Sequence, residues 1–97
     1  MTITMNKYEK KIIMAISGRV DTTTAPELET KLDDVCDIDE LIFDFAEVEY
    51  ISSAGLRVLL KAQKLMAKVG SMKLINVGNE VKEIFDITGF MDILTVE

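Results

Sequence analysis

Tyr50-Ile51-Ser52-Ser53-Ala54-Gly55-Leu56-Arg57-Val58-Leu59-Leu60, running on to Ala67-Lys68-Val69-Gly70, is the stretch in which an extended segment turns into a long amphipathic helix. Gly55, Val58, Leu59, Ala62, Met66 and Val69 recur at helical spacing, which predicts a helix over Ser53–Val69 with one apolar face and Gly70 as its stop. Two hydroxyls, Ser52 and Ser53, stand at its entrance. There the first backbone amides lack intrahelical partners and the helix dipole favours negative charge. Either serine can cap those amides, and a phosphoserine would be electrostatically tolerated. Gly55 in the first turn costs about 0.5 to 1 kcal/mol relative to Ala. Two compensations are open: another backbone packs closely against it, or the surface is kept clear so that a partner can reach the serines.

Working outward, Leu41–Phe45 is short and mostly apolar, with bulky residues on both faces and Asp44 as the polar exception, as in a strand buried in the middle of a sheet, and Ala46–Tyr50 reads as the connection to the serine corner. Further upstream, Thr2–Glu9 and Lys11–Val20 alternate as two strands of an antiparallel hairpin, with Ile12, Met14 and Ile16 on one face and Gly18 allowing a bulge. Thr24-Ala25-Pro26-Glu27 has the form of a capping box, so a helix is expected there, with Leu28, Leu32 and Val35 along its apolar stripe and an end near Val35 or Cys36. Downstream, Met72–Val77 reads as a buried strand. Gly78-Asn79 leads into a third helix carrying Val81, Ile84, Phe85 and Thr88 on one face, and Gly89 before Phe90 fits a left-handed terminator. Ile93–Val96 is read as a final edge strand. This order predicts an α/β fold in one domain over residues 1–97: a mixed sheet begun by an antiparallel hairpin, then alternating helices and strands, with helices covering the sheet.

Composition removes several classes of function. With 97 residues there is room for one core and not for a catalytic domain beside a binding domain. No His occurs, and Cys36 is the only cysteine, expected to pack as a small buried hydrophobe. Neither a disulfide within the chain nor the usual zinc spacings can be assembled, and Ser-His or Cys-His nucleophile pairs are excluded. A hydrolase using Ser53 is further opposed by the lack of a Gly-x-Ser-x-Gly elbow. The Met residues fit core positions, and no cofactor is expected. Asp21, Asp44 and Glu47 at strand ends are read as solvated or capping groups rather than a Mg²⁺ site. The net charge of −6 is unevenly spread: Glu27–Glu49 holds ten acids against Lys31 alone, whereas the helix after Ser53 displays Arg57, Lys61, Lys64 and Lys68. That balance argues against nucleic acid and for a protein partner. The basic stripe itself is read as a solvated helix face, with partner contact as the alternative. Uncharged runs are too short to span a bilayer, and Met1–Lys7 lacks the basic head and following apolar stretch of a secretory signal, so a soluble, cytoplasmic protein without membrane insertion is expected. No heptad pattern demands a dimer, and a monomer is expected.

The run Asp44-Phe45-Ala46-Glu47-Val48-Glu49-Tyr50-Ile51-Ser52-Ser53-Ala54-Gly55-Leu56, preceded by Gly18-Arg19-Val20-Asp21 and Thr24-Ala25-Pro26, resembles the STAS domain family, and within it the bacterial anti-sigma factor antagonists. The resemblance covers essentially the whole chain. It implies partner switching: the unphosphorylated antagonist binds an anti-sigma factor that is also a serine kinase, releasing the sigma factor; the kinase phosphorylates the antagonist, and a PP2C-type phosphatase resets it. Ser53 matches the phosphorylated hydroxyl of members reading Asp-Ser-Ala-Gly-Leu. Ser52 stands where the family commonly has an acid and is the reserve acceptor, and Ala54 stands where many members carry Ser or Thr. Asp21 and Asp44 match acidic positions near the family's site. The resemblance thus implies a partner-binding set of Asp21, Thr22, Asp44, Ser52, Ser53, Ala54, Gly55, Leu56 and Arg57. A scaffold subunit of another signalling or transport assembly, in which Ser53 is only a cap, is the alternative.

Overall fold

Alternation in the first twenty residues builds the hairpin. β1 (Thr2–Tyr8) pairs antiparallel with β2 (Lys11–Val20), in register from Thr2 opposite Ser17 to Tyr8 opposite Lys11. Ile12, Met14 and Ile16 point inward and are almost fully buried. The structure, a computed structural model, describes residues 1–35 and 37–97, so Cys36 and its expected burial lie outside the described residues. Helix α1 (Ala25–Leu32) leads to β3 (Glu40–Ile51), parallel to β2. Helix α2 (Ser53–Ala67) leads to β4 (Ser71–Ile75), parallel to β3, and α3 (Asn79–Thr88) follows. The sheet order is β1-β2-β3-β4.

The core forms on one face of this sheet. Leu41, Phe43, Phe45, Met72 and Leu74 meet Leu28, Leu59, Ala62, Met66, Val81 and Phe85 from the helices in one cluster. Phe45 is central, with ring centroids 6.4 Å from both Phe43 and Phe85. The opposite face carries cross-strand rows such as Thr4, Ala15, Asp44 and Ile75, which stay partly or fully exposed. The expected covering by helices therefore applies to one face.

The main departure from the sequence reading is β3. Ala46–Tyr50, expected as a connection, is strand. Between Ala15 opposite Asp44 and Ser17 opposite Glu47, β2 advances two residues and β3 three; between Gly18 opposite Val48 and Arg19 opposite Tyr50, β2 advances one and β3 two. Each shift places an extra residue on β3, and Gly18 adapts with φ +89°. An extra residue reverses the side-chain alternation, so Phe45, Val48 and Ile51 are buried at a spacing of three, which no strand template matches.

Smaller corrections have local causes. α1 ends at Leu32 rather than near Val35, because the chain leaves in a series of turns. The expected capping box does not form: Thr24 makes no side-chain cap, its hydroxyl donating instead to the Arg19 carbonyl at 2.9 Å. Val69 is exposed, since α2 ends at Ala67. Gly70 is not a left-handed stop. A Cβ there would lie 1.8 Å from the Asp39 carbonyl oxygen, so Gly70 serves close approach of two loops. Thr88 is exposed, whereas Gly89 has φ +82° and is the expected left-handed terminator of α3. Ile93–Val96 is not a strand: Ile93 caps a 3₁₀ turn over Phe90–Asp92, and only Val96 bridges to β4, opposite Leu74.

Candidate functional site

Two parallel strand ends build the corner. The Ser52 amide donates to the Val20 carbonyl at 2.8 Å, tying the end of β3 to the end of β2 just as each chain leaves the sheet. Ser52 then takes extended backbone angles as the N-cap of α2, and its Oγ accepts from the Gly55 amide at 3.5 Å, a long contact. Ser53 is the first helical residue. It is exposed, and its hydroxyl has no hydrogen-bond partner among the described residues. The two serines therefore divide their work: Ser52 caps, and Ser53 faces solvent over amides that favour an anion.

Gly55 is explained by packing. A Cβ there would come within 2.7 Å of Ile51 Cγ1 and 2.8 Å of Val20 Cγ1, so side chains from the two strand ends, rather than another backbone, fill the space. Leu56 is likewise buried. Both residues shape the corner from beneath, leaving Ser53, Ala54 and Arg57 as its outward positions.

The β2–α1 loop supplies the second wall. Asp21 Oδ1 accepts from the Thr23 hydroxyl at 2.7 Å, the Thr23 amide at 3.0 Å and the Thr24 amide at 3.2 Å. These bonds, the Thr23 hydroxyl foremost and against a smaller opposing effect of burial, hold the Asp21 carboxyl below its ordinary value of 3.8. Thr22, at the tip of this loop, shares a hollow of about 210 Å³ with Pro26 and Glu29 of the α1 side and Ala54, Arg57 and Val58 of α2. Thr22, Ala54 and Arg57, separated in sequence, are thereby brought together.

Asp44 is not brought to the corner. It lies opposite Ala15, five residues back along β2 from Val20, or roughly 16 Å at strand rise. Its Oδ1 accepts from the Ala46 amide at 3.0 Å and the Asn76 side chain at 3.2 Å, tying the bulged part of β3 to the end of β4. The structure adds a pair not singled out from the sequence. The Arg19 guanidinium stacks 4.5 Å over the Tyr50 ring, with Nε 4.0 Å from Asp21 Oδ2. Arg19 and Tyr50 are cross-strand partners only because of the second bulge, so an unbulged register would not have paired them.

The fold matches that of the Bacillus cell fate determinant SpoIIAA. Its unphosphorylated form aligns at a TM-score of 0.84 and 15% identity, covering 99% of this chain and 88% of that one. Its phosphorylated form aligns at 0.76 and 14% identity, covering 99% and 91%. Among sequences, the Bacillus subtilis anti-sigma-B factor antagonist is 32% identical, covering 99% of this chain and 90% of its own length. BtrV of Bordetella bronchiseptica, grouped by name with the anti-sigma factor antagonists, is 36% identical, covering 99% of this chain and 85% of its own length. No helix among the described residues is long and apolar enough to cross a membrane. The family profile matches residues 2–97, and with it the fold and the relatives agree: the chain belongs to the STAS domain family.

Proposed function

We propose that this protein is an anti-sigma factor antagonist that binds an anti-sigma factor serine kinase while unphosphorylated, and that phosphorylation of Ser53 ends the binding. The observation that carries this reading is the division of labour at the corner: Ser52 is engaged as the cap, while Ser53 is exposed at the first position of α2 with its hydroxyl unpartnered among the described residues. Its relatives' names supply the partner class, and the two forms of SpoIIAA show that a protein of this fold carries phosphate. In the transfer, the γ-phosphoryl group of ATP bonds to Ser53 Oγ, the hydroxyl proton leaves and ADP departs; a PP2C-type phosphatase hydrolyses the ester to inorganic phosphate. The protein itself contributes the acceptor and no catalytic group.

The phosphoryl group adds about −1.5 to −2 charges near neutral pH. Helix amides make it tolerable within the fold, so α2 stays formed. At an interface, the same charge, added to a corner that already carries the Asp21 carboxylate, must be desolvated and repels an acidic partner surface, and the complex weakens. Asp21, Thr22, Ala54 and Arg57 form the contact surface around it, while Asp44 acts by holding β3.

The test mixes the protein with its cognate kinase and ATP and reads intact mass and the modified site. One phosphate on the wild type and none on Ser53→Ala is expected; an unchanged mass gain in Ser53→Ala rejects Ser53 as acceptor. Calorimetry completes it: Ser53→Asp binds the kinase at least about tenfold more weakly, and equal affinity rejects the charge mechanism.

A further inference from the structure

The outer side of α2 differs from the rest of this acidic chain. Arg57, Leu60, Lys61, Lys64, Leu65 and Lys68 line a shallow hollow of about 270 Å³, with no acid among them. Lys61 reaches Glu29 at 3.5 Å; Arg57, Lys64 and Lys68 have no ion-pair partner among the described residues. Leu60 and Leu65 are the apolar residues of the hollow, Leu65 being 44% exposed. A second, more apolar hollow of about 290 Å³, bordered by Val35, Ile38, Leu65, Met66, Lys68 and Val69 with Asp37 as its one acid, continues it past the end of the helix; Val69 is 58% exposed.

The spacing and the charge together indicate what fits. Arg57, Lys61, Lys64 and Lys68 form one straight row over roughly 16 Å of helix, and a trough of that shape accepts a second helix laid alongside. The local cations in a chain of net charge −6 attract an acidic segment here and repel it elsewhere, which fixes where it lands. Nucleic acid would find the same cations but would be opposed by the acidic remainder of the chain, and it has no use for exposed Leu65 and Val69.

We propose that this trough docks an acidic amphipathic helix of a protein partner, seated mainly on Lys64, Leu65 and Lys68 at the end of α2 away from the Ser53 corner. Lys64 and Lys68 lie eleven and fifteen residues along α2 from Ser53, on the order of 16 and 22 Å, so a phosphate at the corner is more than a Debye length from them, about 8 to 10 Å at physiological salt; Arg57, one turn from Ser53, borders both the trough and the corner.

The experiment uses the whole chain and a fluorescein-labelled synthetic helical peptide with Leu along one face and Glu on both flanks. The control peptide has Lys in place of Glu, and vesicles rich in phosphatidylglycerol probe the membrane alternative. By anisotropy, the Glu peptide binds at least about tenfold tighter than the Lys peptide, and Lys64→Glu with Lys68→Glu weakens it about tenfold. Leu65→Ser also weakens it, and Ser53→Asp, which reaches only Arg57, weakens it less than the double substitution does; circular dichroism confirms that each variant is folded. No binding of the Glu peptide, equal affinity for both peptides, or indifference to the double substitution overturns the proposal. So does vesicle binding or self-association that the double substitution abolishes, because the trough then serves a membrane or a second copy. Kinase binding is measured apart from peptide binding, so failure of the trough and failure of the Ser53 reading are distinguishable.

Discussion

At the scale of single residues, Asp21 shows how a loop carboxylate is assigned its work. Four donors from Thr23 and Thr24 lie within 3.3 Å of its Oδ1, so its first role is to shape the β2–α1 turn. The sign of the linkage follows from its lowered pKa. The folded state binds the proton less readily than the unfolded chain, so the carboxylate's stabilisation is present above the ordinary value of 3.8 and is lost as pH falls through the folded pKa. Thr23→Ala removes the leading cause. NMR titration is expected to show the Asp21 carboxyl returning toward its ordinary value. Urea midpoints should show a variant less stable than wild type at pH 7, with the gap narrowing below the ordinary carboxyl range.

At the scale of an element, α2 is held at its entrance by a weak cap and a tight fit. Ser52→Ala is expected to cost only about 0.5 kcal/mol, the low end for an N-cap, because its bond to the Gly55 amide is long at 3.5 Å. On the proposed function, phosphorylation at Ser53 is expected to continue in that variant, and loss of the mass gain would mean that Ser52 is the acceptor. Gly55→Ala behaves differently. Ala gains up to about 1 kcal/mol of helix propensity, but its methyl must displace Ile51 and Val20, and overpacking of that kind costs about 1 to 3 kcal/mol. A net loss of about 1 kcal/mol in urea unfolding is expected; a stabilised variant would show that the strand ends yield freely. β3 illustrates the limit of pattern reading within an element. Its first half was legible because Leu41–Phe45 is apolar apart from Asp44, and its second half was not, because two extra residues break the period of two on which strand recognition rests.

At the scale of the whole molecule, contacts between loops far apart in the chain fix the assembly. Gly70, after α2, lies against Asp39, before β3, and the Ser71 amide donates to the same Asp39 carbonyl at 2.9 Å. Because the obstacle is backbone, Gly70→Ala is expected to cost about 3 kcal/mol, more than Gly55→Ala, read as a larger fall in the urea midpoint. The sequence by itself determined the order of elements as far as α3, the opening hairpin, the amphipathic face of α2, the serine corner and the exclusion of His-dependent chemistry. These rest on composition and on periods of two and 3.6 residues, which are local properties of the chain. Only the tertiary structure decided that Ser52 caps while Ser53 stays free, that Asp44 sits away from the corner, and that Arg19 stacks on Tyr50. It alone showed that Gly55 and Gly70 are demanded by packing and that α2 carries an open basic trough. Each of these depends on which distant residues meet, and the bulges of β3 and the close approach of loops set those meetings through register and packing, which no local period encodes.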